Sequence, residues 1–84
     1  MLKVYGSTLC GDCVECKEAF TRNGVEFIYL DFHEDLRNLK EFLELRDRLT
    51  QFEPVRNAGR IGIPCIVTDS GEVSLDWERF LPTM

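Results

Sequence analysis

The spacing of hydrophobic and polar residues in the first third of the chain predicts a strand, a helix and a second strand. Residues 2–5 alternate as in a short strand, and Gly6 begins the turn that follows. From Cys13 onward the residues of one face recur at helical spacing, and Gly24 supplies a C-terminal stop. Residues 27–30 form a continuous apolar run, which predicts a strand buried on both faces. Together these elements predict a βαβ unit with parallel strands.

The rest of the chain predicts a second helix, a hairpin and a short final helix. Between residues 34 and 52 the apolar positions step by three and four, which indicates one amphipathic helix that Pro54 ends or kinks. Residues 65–75 predict two strands joined by a hairpin turn, and Asp76 is expected to cap the last helix. The predicted order is β-α-β-α-β-β-α, an α/β fold. No repeat or linker divides residues 1–84, so we expect a single domain.

Composition and charge narrow the function classes. Of the 84 residues, 44% are hydrophobic and 30% are charged, as in a globular protein with one core. The formal net charge of −5 argues against a nucleic-acid partner, because such partners bind basic clusters. No stretch reaches the roughly 20 apolar residues of a spanning helix, so no membrane partner is expected. The residues after Met1 lack the pattern of a secretory leader, and we expect a cytoplasmic protein.

Three of the four cysteines lie where the first strand meets the first helix. Cys10 and Cys13 form a C-x-x-C pair, and such a pair inside a βαβ unit is typical of a thiol redox motif. A thiol at the start of a helix faces unpaired backbone N–H groups and the positive end of the helix dipole, which stabilise a thiolate. We therefore predict that Cys10 is the nucleophile and that Cys13, in the same turn, resolves the mixed disulfide.

A metal site is the alternative that the same cysteines leave open. Cys10, Cys13 and Cys16 could offer three thiolates to zinc or to an iron–sulfur cluster, with Cys65 as a fourth ligand. Strand alternation, however, turns Cys65 away from its neighbour Pro64 and toward the second helix. We expect Cys16 and Cys65 to be core residues, because free cysteine is among the most buried residue types. A metal-binding or iron–sulfur carrier is the rival hypothesis.

Four further positions enter the prediction. Pro64 opens the third strand, where a missing N–H is tolerated, and its bond to Ile63 is a candidate for the cis form. His33 is the only histidine and has no partner motif nearby, so we expect a solvated loop residue. Trp77 and Phe80 are expected to anchor the last helix to the core.

The C-x-x-C motif after strand one and residues 59–64 before strand three resemble those of a glutaredoxin. The resemblance covers nearly the whole chain. It implies a thioredoxin fold, in which a four-stranded mixed sheet is flanked by helices. It also implies a disulfide reductase in which Cys10 attacks the substrate and Cys13 displaces the reduced product.

The resemblance further implies where a substrate binds. The backbone of Ile63, ahead of Pro64, is expected to contact a bound peptide or glutathione, and Arg60 is expected to face a substrate carboxylate. The Gly-Gly segment that usually follows strand four is absent, and Asp76 is the acidic residue that offers a contact there. Ser7 stands where many members have a lysine.

The cofactor and partners also follow from the resemblance. It implies no bound cofactor, with glutathione as a possible co-substrate and disulfide-containing proteins as substrates. Two electron donors stay open, glutathione and thioredoxin reductase, and we expect a monomer. A thiol sensor without turnover is a third hypothesis.

Overall fold

A computed structural model describes residues 1–82 of the chain. Four strands form one sheet, and helices pack against both of its faces. In chain order the elements are β1 (Leu2–Gly6), α1 (Gly11–Arg22), β2 (Phe27–Asp31), α2 (Leu36–Arg48), α3 (Glu53–Asn57), β3 (Cys65–Val67) and β4 (Val73–Ser74). Two single 3₁₀ turns, Thr50–Phe52 and Trp77–Phe80, complete the set. No helix within these residues is long and apolar enough to cross a membrane.

The sheet is mixed, as the sequence predicts. Its strand order is β2-β1-β3-β4, with β1 and β2 parallel and β3 antiparallel to both of its neighbours. In this register Val4 of β1 lies between Tyr29 of β2 and Ile66 of β3. The parallel pair and its crossover helix bring the carboxyl end of β1 to the start of α1, where the C-x-x-C motif lies.

Side-chain alternation along the strands divides the core into two parts. On one face, Tyr5 and Cys65 pack with Phe42 of α2 and Phe52. On the other face a second cluster joins β1, α1 and β3; its buried members are Val4, Cys16, Phe20 and Ile66. Trp77 and Phe80 pack against this second cluster, so their expected anchoring role is confirmed.

The second helix is shorter than its apolar spacing predicts. It begins after Asp35, whose carboxylate accepts a hydrogen bond from the backbone N–H of Arg37 at 2.9 Å, and it ends at Arg48. Leu49 is extended, and Pro54 lies in the first turn of α3 instead of ending α2. The first turn is a position that tolerates a residue without an N–H, which explains why a new helix starts there.

Two other local predictions are wrong. β2 is an edge strand, and because its Ile28 is half-exposed the strand is not buried on both faces. The final helix is a single 3₁₀ turn, and the side chain of Asp76 does not cap it. The backbone N–H of Asp76 instead donates to the hydroxyl of Ser74 at 3.1 Å. A strand edge and a one-turn segment have few neighbours to enforce the regular pattern that their sequences indicate.

Candidate active site

A short loop between β1 and α1 places Cys10 at the start of the helix. Cys10 is the N-cap residue of α1 and has an extended backbone. Its N–H donates to the carbonyl oxygen of Ser7 at 3.1 Å, and the Ser7 hydroxyl accepts from the N–H of Leu9 at 3.1 Å. Ser7 therefore closes the turn on which the first cysteine sits.

Cys10 and Cys13 differ in their access to solvent. Cys10 is partly exposed, whereas Cys13 is fully buried one turn into α1. The pKa of Cys13 is raised to about 12, mainly by burial and also by the adjacent Cys10 side chain. A backbone hydrogen bond at Ser7 and the Tyr29 hydroxyl act in the opposite direction. Cys10 is therefore the thiol of the pair that solvent reaches, while Cys13 is a buried, protonated thiol.

A groove of about 510 Å³ opens beside Cys10. Its walls come from the start of α1, from α3 and the loop that follows it, and from the segment around Trp77. The bond between Ile63 and Pro64, at the end of this loop, is cis, as the sequence predicts. The lining also carries one carboxylate and one guanidinium, those of Asp12 and Arg60.

The structure brings most of the predicted site residues to this groove. Cys10 shares the lining with Arg60, Ile63 and Pro64, although residues 10 and 60 lie far apart in the chain. Cys13 lies buried below Cys10. Asp76 is exposed and does not line the groove, although both of its neighbours in the chain do.

Arg46 of α2 holds the loop that forms one wall of the groove. Its Nε donates to the carbonyl oxygen of Ile61 at 2.9 Å, and a terminal nitrogen donates to that of Arg60 at 2.6 Å. Arg56 of α3 donates in turn to the carbonyl oxygen of Arg46. These contacts fix the backbone just before the cis bond.

The other two cysteines lie on opposite faces of the sheet. Cys16 is fully buried beside Phe20, and Cys65 is fully buried on the α2 side beside Phe42. Burial raises the pKa of both thiols to about 12. Their expected core placement is confirmed, and Cys65 faces the second helix as strand alternation predicts. Within residues 1–82, no three His, Cys, Asp or Glu side chains are grouped so that they could hold a metal ion.

Comparison with known proteins agrees with this arrangement. Residues 2–73 match the model of the family described as Glutaredoxin. The chain belongs to the glutaredoxin family. Its mixed sheet with flanking helices is accordingly the thioredoxin-like fold of these thiol–disulfide oxidoreductases. The chain is also similar to an uncharacterized protein of Haemophilus influenzae, with 33% identity over 75 residues that cover 89% of this chain and 86% of that protein. No solved structure matches the chain.

Sequence reasoning missed three residues around this glutaredoxin motif. His33 is exposed as expected, yet its Nε2 lies 2.7 Å from the hydroxyl oxygen of Ser7. Tyr29 places its hydroxyl at Cys13, and Arg46 anchors the loop before Pro64. No local motif marks these contacts, because each joins residues far apart in the chain. The parallel pairing of β1 with β2 is the one signal that brings Tyr29 and His33 near the cysteine loop.

Proposed function

We propose that this protein is a glutaredoxin-type disulfide reductase in which Cys10 is the nucleophile and Cys13 the resolving thiol. The observation that carries the proposal is the difference between the two thiols, one partly exposed at a helix start and the other fully buried one turn later. A helix start favours a negatively charged sulfur, which is the form that attacks a disulfide.

The reaction takes two exchange steps. The Cys10 thiolate attacks one sulfur of the substrate disulfide, so a mixed disulfide forms on Cys10 and the first product sulfur leaves as a thiolate. Cys13 then attacks the Cys10 sulfur, which releases the second product sulfur and leaves a Cys10–Cys13 disulfide. Two electrons have passed to the substrate, and a reductant must return them before the next cycle.

The groove beside Cys10 is the proposed substrate site. Arg60 offers a guanidinium to a substrate carboxylate, and Asp12 offers a carboxylate to an ammonium group. The backbone at Ile63, held ahead of Pro64, is the proposed contact for an extended peptide. A small peptide with both charges, such as glutathione, fits this chemistry, either as co-substrate or as half of a mixed disulfide. Asp76 has a weaker claim to this site, because its side chain lies outside the lining.

Glutathione is the proposed electron source, with thioredoxin reductase as the second candidate. A dithiol that must be returned to its reduced state works where thiols are kept reduced, so the proposal assigns the protein to the cytoplasm. Disulfide-containing proteins and glutathione mixed disulfides are the proposed substrates.

Steady-state reduction of a glutathione mixed disulfide, with glutathione and glutathione reductase as electron source, tests this proposal. We expect turnover by the protein, loss of turnover in Cys10→Ser, and retained turnover in Cys16→Ala. Turnover with thioredoxin reductase alone would keep the oxidoreductase and change its donor. Folded, reduced protein that turns over with neither donor, or a Cys10→Ser variant that stays active, would contradict the proposal.

Stoichiometric iron or zinc in anaerobically purified protein would favour the metal carrier instead, and loss of that metal in Cys16→Ala would identify Cys16 as its ligand.

A further inference from the structure

The hydroxyl of Tyr29 is a buried polar group that the two exchange steps leave without a role. Tyr29 lies in the middle of β2, opposite Val4 of β1. Among the described residues, its hydroxyl oxygen is buried and has no hydrogen-bond partner of regular geometry. An unpaired buried hydroxyl costs free energy, and such a group in a native protein calls for an explanation.

Gly6 explains why this hydroxyl and the resolving thiol can lie side by side. A Cβ atom built on Gly6 would lie 2.9 Å from the sulfur of Cys13 and 2.9 Å from the hydroxyl oxygen of Tyr29. Both atoms thus border the same small space, which a side chain on Gly6 would fill. The ammonium group of Lys17 lies 4.9 Å from the centre of the Tyr29 ring and covers its outer face.

The protonation states of the two groups match a donor and an acceptor. Burial raises the pKa of Tyr29, so its phenol keeps its proton at neutral pH. Burial also raises the pKa of Cys13, while the Tyr29 hydroxyl acts to lower it. The hydroxyl therefore favours the thiolate of Cys13 over the thiol, and an anionic sulfur would give the unpaired O–H an acceptor.

We propose that the Tyr29 hydroxyl donates a hydrogen bond to the Cys13 sulfur as this sulfur becomes a thiolate and attacks the mixed disulfide on Cys10. The proposal rests on the dithiol function proposed above and names a further residue for its second step. In that step the Cys13–Cys10 bond forms, and the bond from Cys10 to the substrate sulfur breaks. The substrate sulfur leaves with the electron pair and takes from water the proton that Cys13 gave up to water.

Two-phase reaction with 5,5′-dithiobis(2-nitrobenzoate) separates this step from the first. Attack by Cys10 releases one coloured thionitrobenzoate and leaves the other half on Cys10, and attack by Cys13 then releases the second. In Tyr29→Phe we expect an unchanged first phase and a second phase that is about three to ten times slower. A lost hydrogen bond to a charged group raises the thiolate pKa, and the greater nucleophilicity of a more basic thiolate offsets part of the loss.

Tyr5→Phe is the matched control. It removes a phenolic hydroxyl from the neighbouring strand, where Tyr5 donates to the carboxylate of Glu41 at 3.0 Å on the opposite face of the sheet. We expect both phases to keep their rates in this variant. Tyr29→Phe removes a hydroxyl that has no hydrogen-bond partner among residues 1–82, so this variant is expected to fold at least as stably as the parent.

The reduction potential of the Cys10–Cys13 couple distinguishes this role from a structural one. At neutral pH the Cys13 sulfur is anionic in neither the dithiol nor the disulfide, so Tyr29→Phe should slow formation and reduction of the disulfide equally. The potential, measured against glutathione buffers, should stay unchanged. An unchanged second phase, or a shifted potential, would overturn the proposed role of Tyr29 and leave the dithiol function standing. A parent protein that never releases the second thionitrobenzoate would overturn the dithiol function itself.

Discussion

The Nε2 atom of His33 lies 2.7 Å from the hydroxyl oxygen of Ser7, so the segment after β2 is tied to the loop that carries Cys10. The backbone N–H of His33 donates to the carboxylate of Asp31 at 2.8 Å, which holds the backbone of His33 in place. The Ser7 hydroxyl also accepts from the N–H of Leu9, and its carbonyl oxygen accepts from the N–H of Cys10. Ser7 therefore binds both to His33 and to two other residues of its own loop.

Replacing His33 with alanine should destabilise the protein modestly. The variant loses one side-chain hydrogen bond, and we expect the free energy of unfolding to fall by about 0.5 to 1.5 kcal/mol. Urea denaturation measures this change. Glu34→Ala, a truncation at the next exposed position, is the control and should stay within about 0.5 kcal/mol of the parent. Equal stability of the two variants would show that the contact to Ser7 contributes nothing.

Gly6→Ala should destabilise the protein more strongly than Gly11→Ala. The added Cβ at residue 6 would lie 2.9 Å from both the Cys13 sulfur and the Tyr29 hydroxyl, a distance that forces the neighbours to move. We expect a loss of about 1 to 3 kcal/mol in denaturant unfolding, as for other overpacked cores. A Cβ at residue 11 meets no atom of the described residues within 4 Å, so that variant should be neutral or more stable by up to about 1 kcal/mol. Two variants of equal stability would contradict the tight contact.

Arg46→Ala should weaken substrate binding more than it slows turnover. The variant loses both hydrogen bonds to the loop before Pro64, and this loop forms one wall of the groove beside Cys10. We expect KM for a glutathione mixed disulfide to rise about three- to tenfold, which corresponds to about 0.7 to 1.4 kcal/mol. Arg48→Ala, an exposed arginine at the end of the same helix, should leave KM unchanged. A rise in KM of equal size in both variants would indicate an effect of charge instead of loop position.

Stability should fall in alkaline solution because of the buried thiols. Burial raises the pKa of Cys13, Cys16 and Cys65 from 9.0 to about 12. Above about pH 9 the unfolded state therefore binds fewer protons than the folded state, and the free energy of unfolding decreases until about pH 12. Between these two pH values each thiol lowers the free energy of unfolding by at most about 1.4 kcal/mol per pH unit. Below about pH 9 the thiols are protonated in both states, so none of this stability is lost.

The double variant Cys16→Ala/Cys65→Ala tests this assignment. It removes two of the three thiols, so its unfolding free energy should decrease less steeply between about pH 9 and pH 11 than that of the parent. The free energy of unfolding is measured by urea denaturation of the reduced protein at each pH. The pKa of Tyr5 is raised to about 12 by burial first, and then by Glu41 and Cys65, so the loss of Cys65 also lessens the raise at Tyr5 and flattens the curve in the same direction. Parallel pH curves would show that the thiols are not responsible.

Local patterns in the sequence predict the sheet and the faces of its residues well. Side-chain alternation along a strand predicts that Cys65 faces the second helix, and it packs against Phe42 there. The placement of Cys10 at the start of α1 likewise follows from the boundary between two patterns that the sequence shows clearly.

Contacts between distant segments are less predictable. Leu49 and Phe52 continue the apolar spacing of α2 and still pack in the core, although the backbone has left the helix at Arg48. The apolar spacing indicates which side chains are buried. One long helix, or a shorter helix followed by a 3₁₀ turn, can bury the same residues. The meeting of Tyr29 and Cys13 depends on strand register and on the missing side chain at Gly6, neither of which a single segment encodes.

The two edges of the sheet are unequal, and this affects how copies of the protein can associate. β2 runs for five residues along one edge, with Ile28 half-exposed, whereas β4 presents two residues at the other. A two-residue edge offers a neighbouring chain few backbone hydrogen bonds, so aggregation through edge-to-edge strand pairing is favoured at β2. A charged side chain at position 28 would guard that edge against such pairing without entering the core.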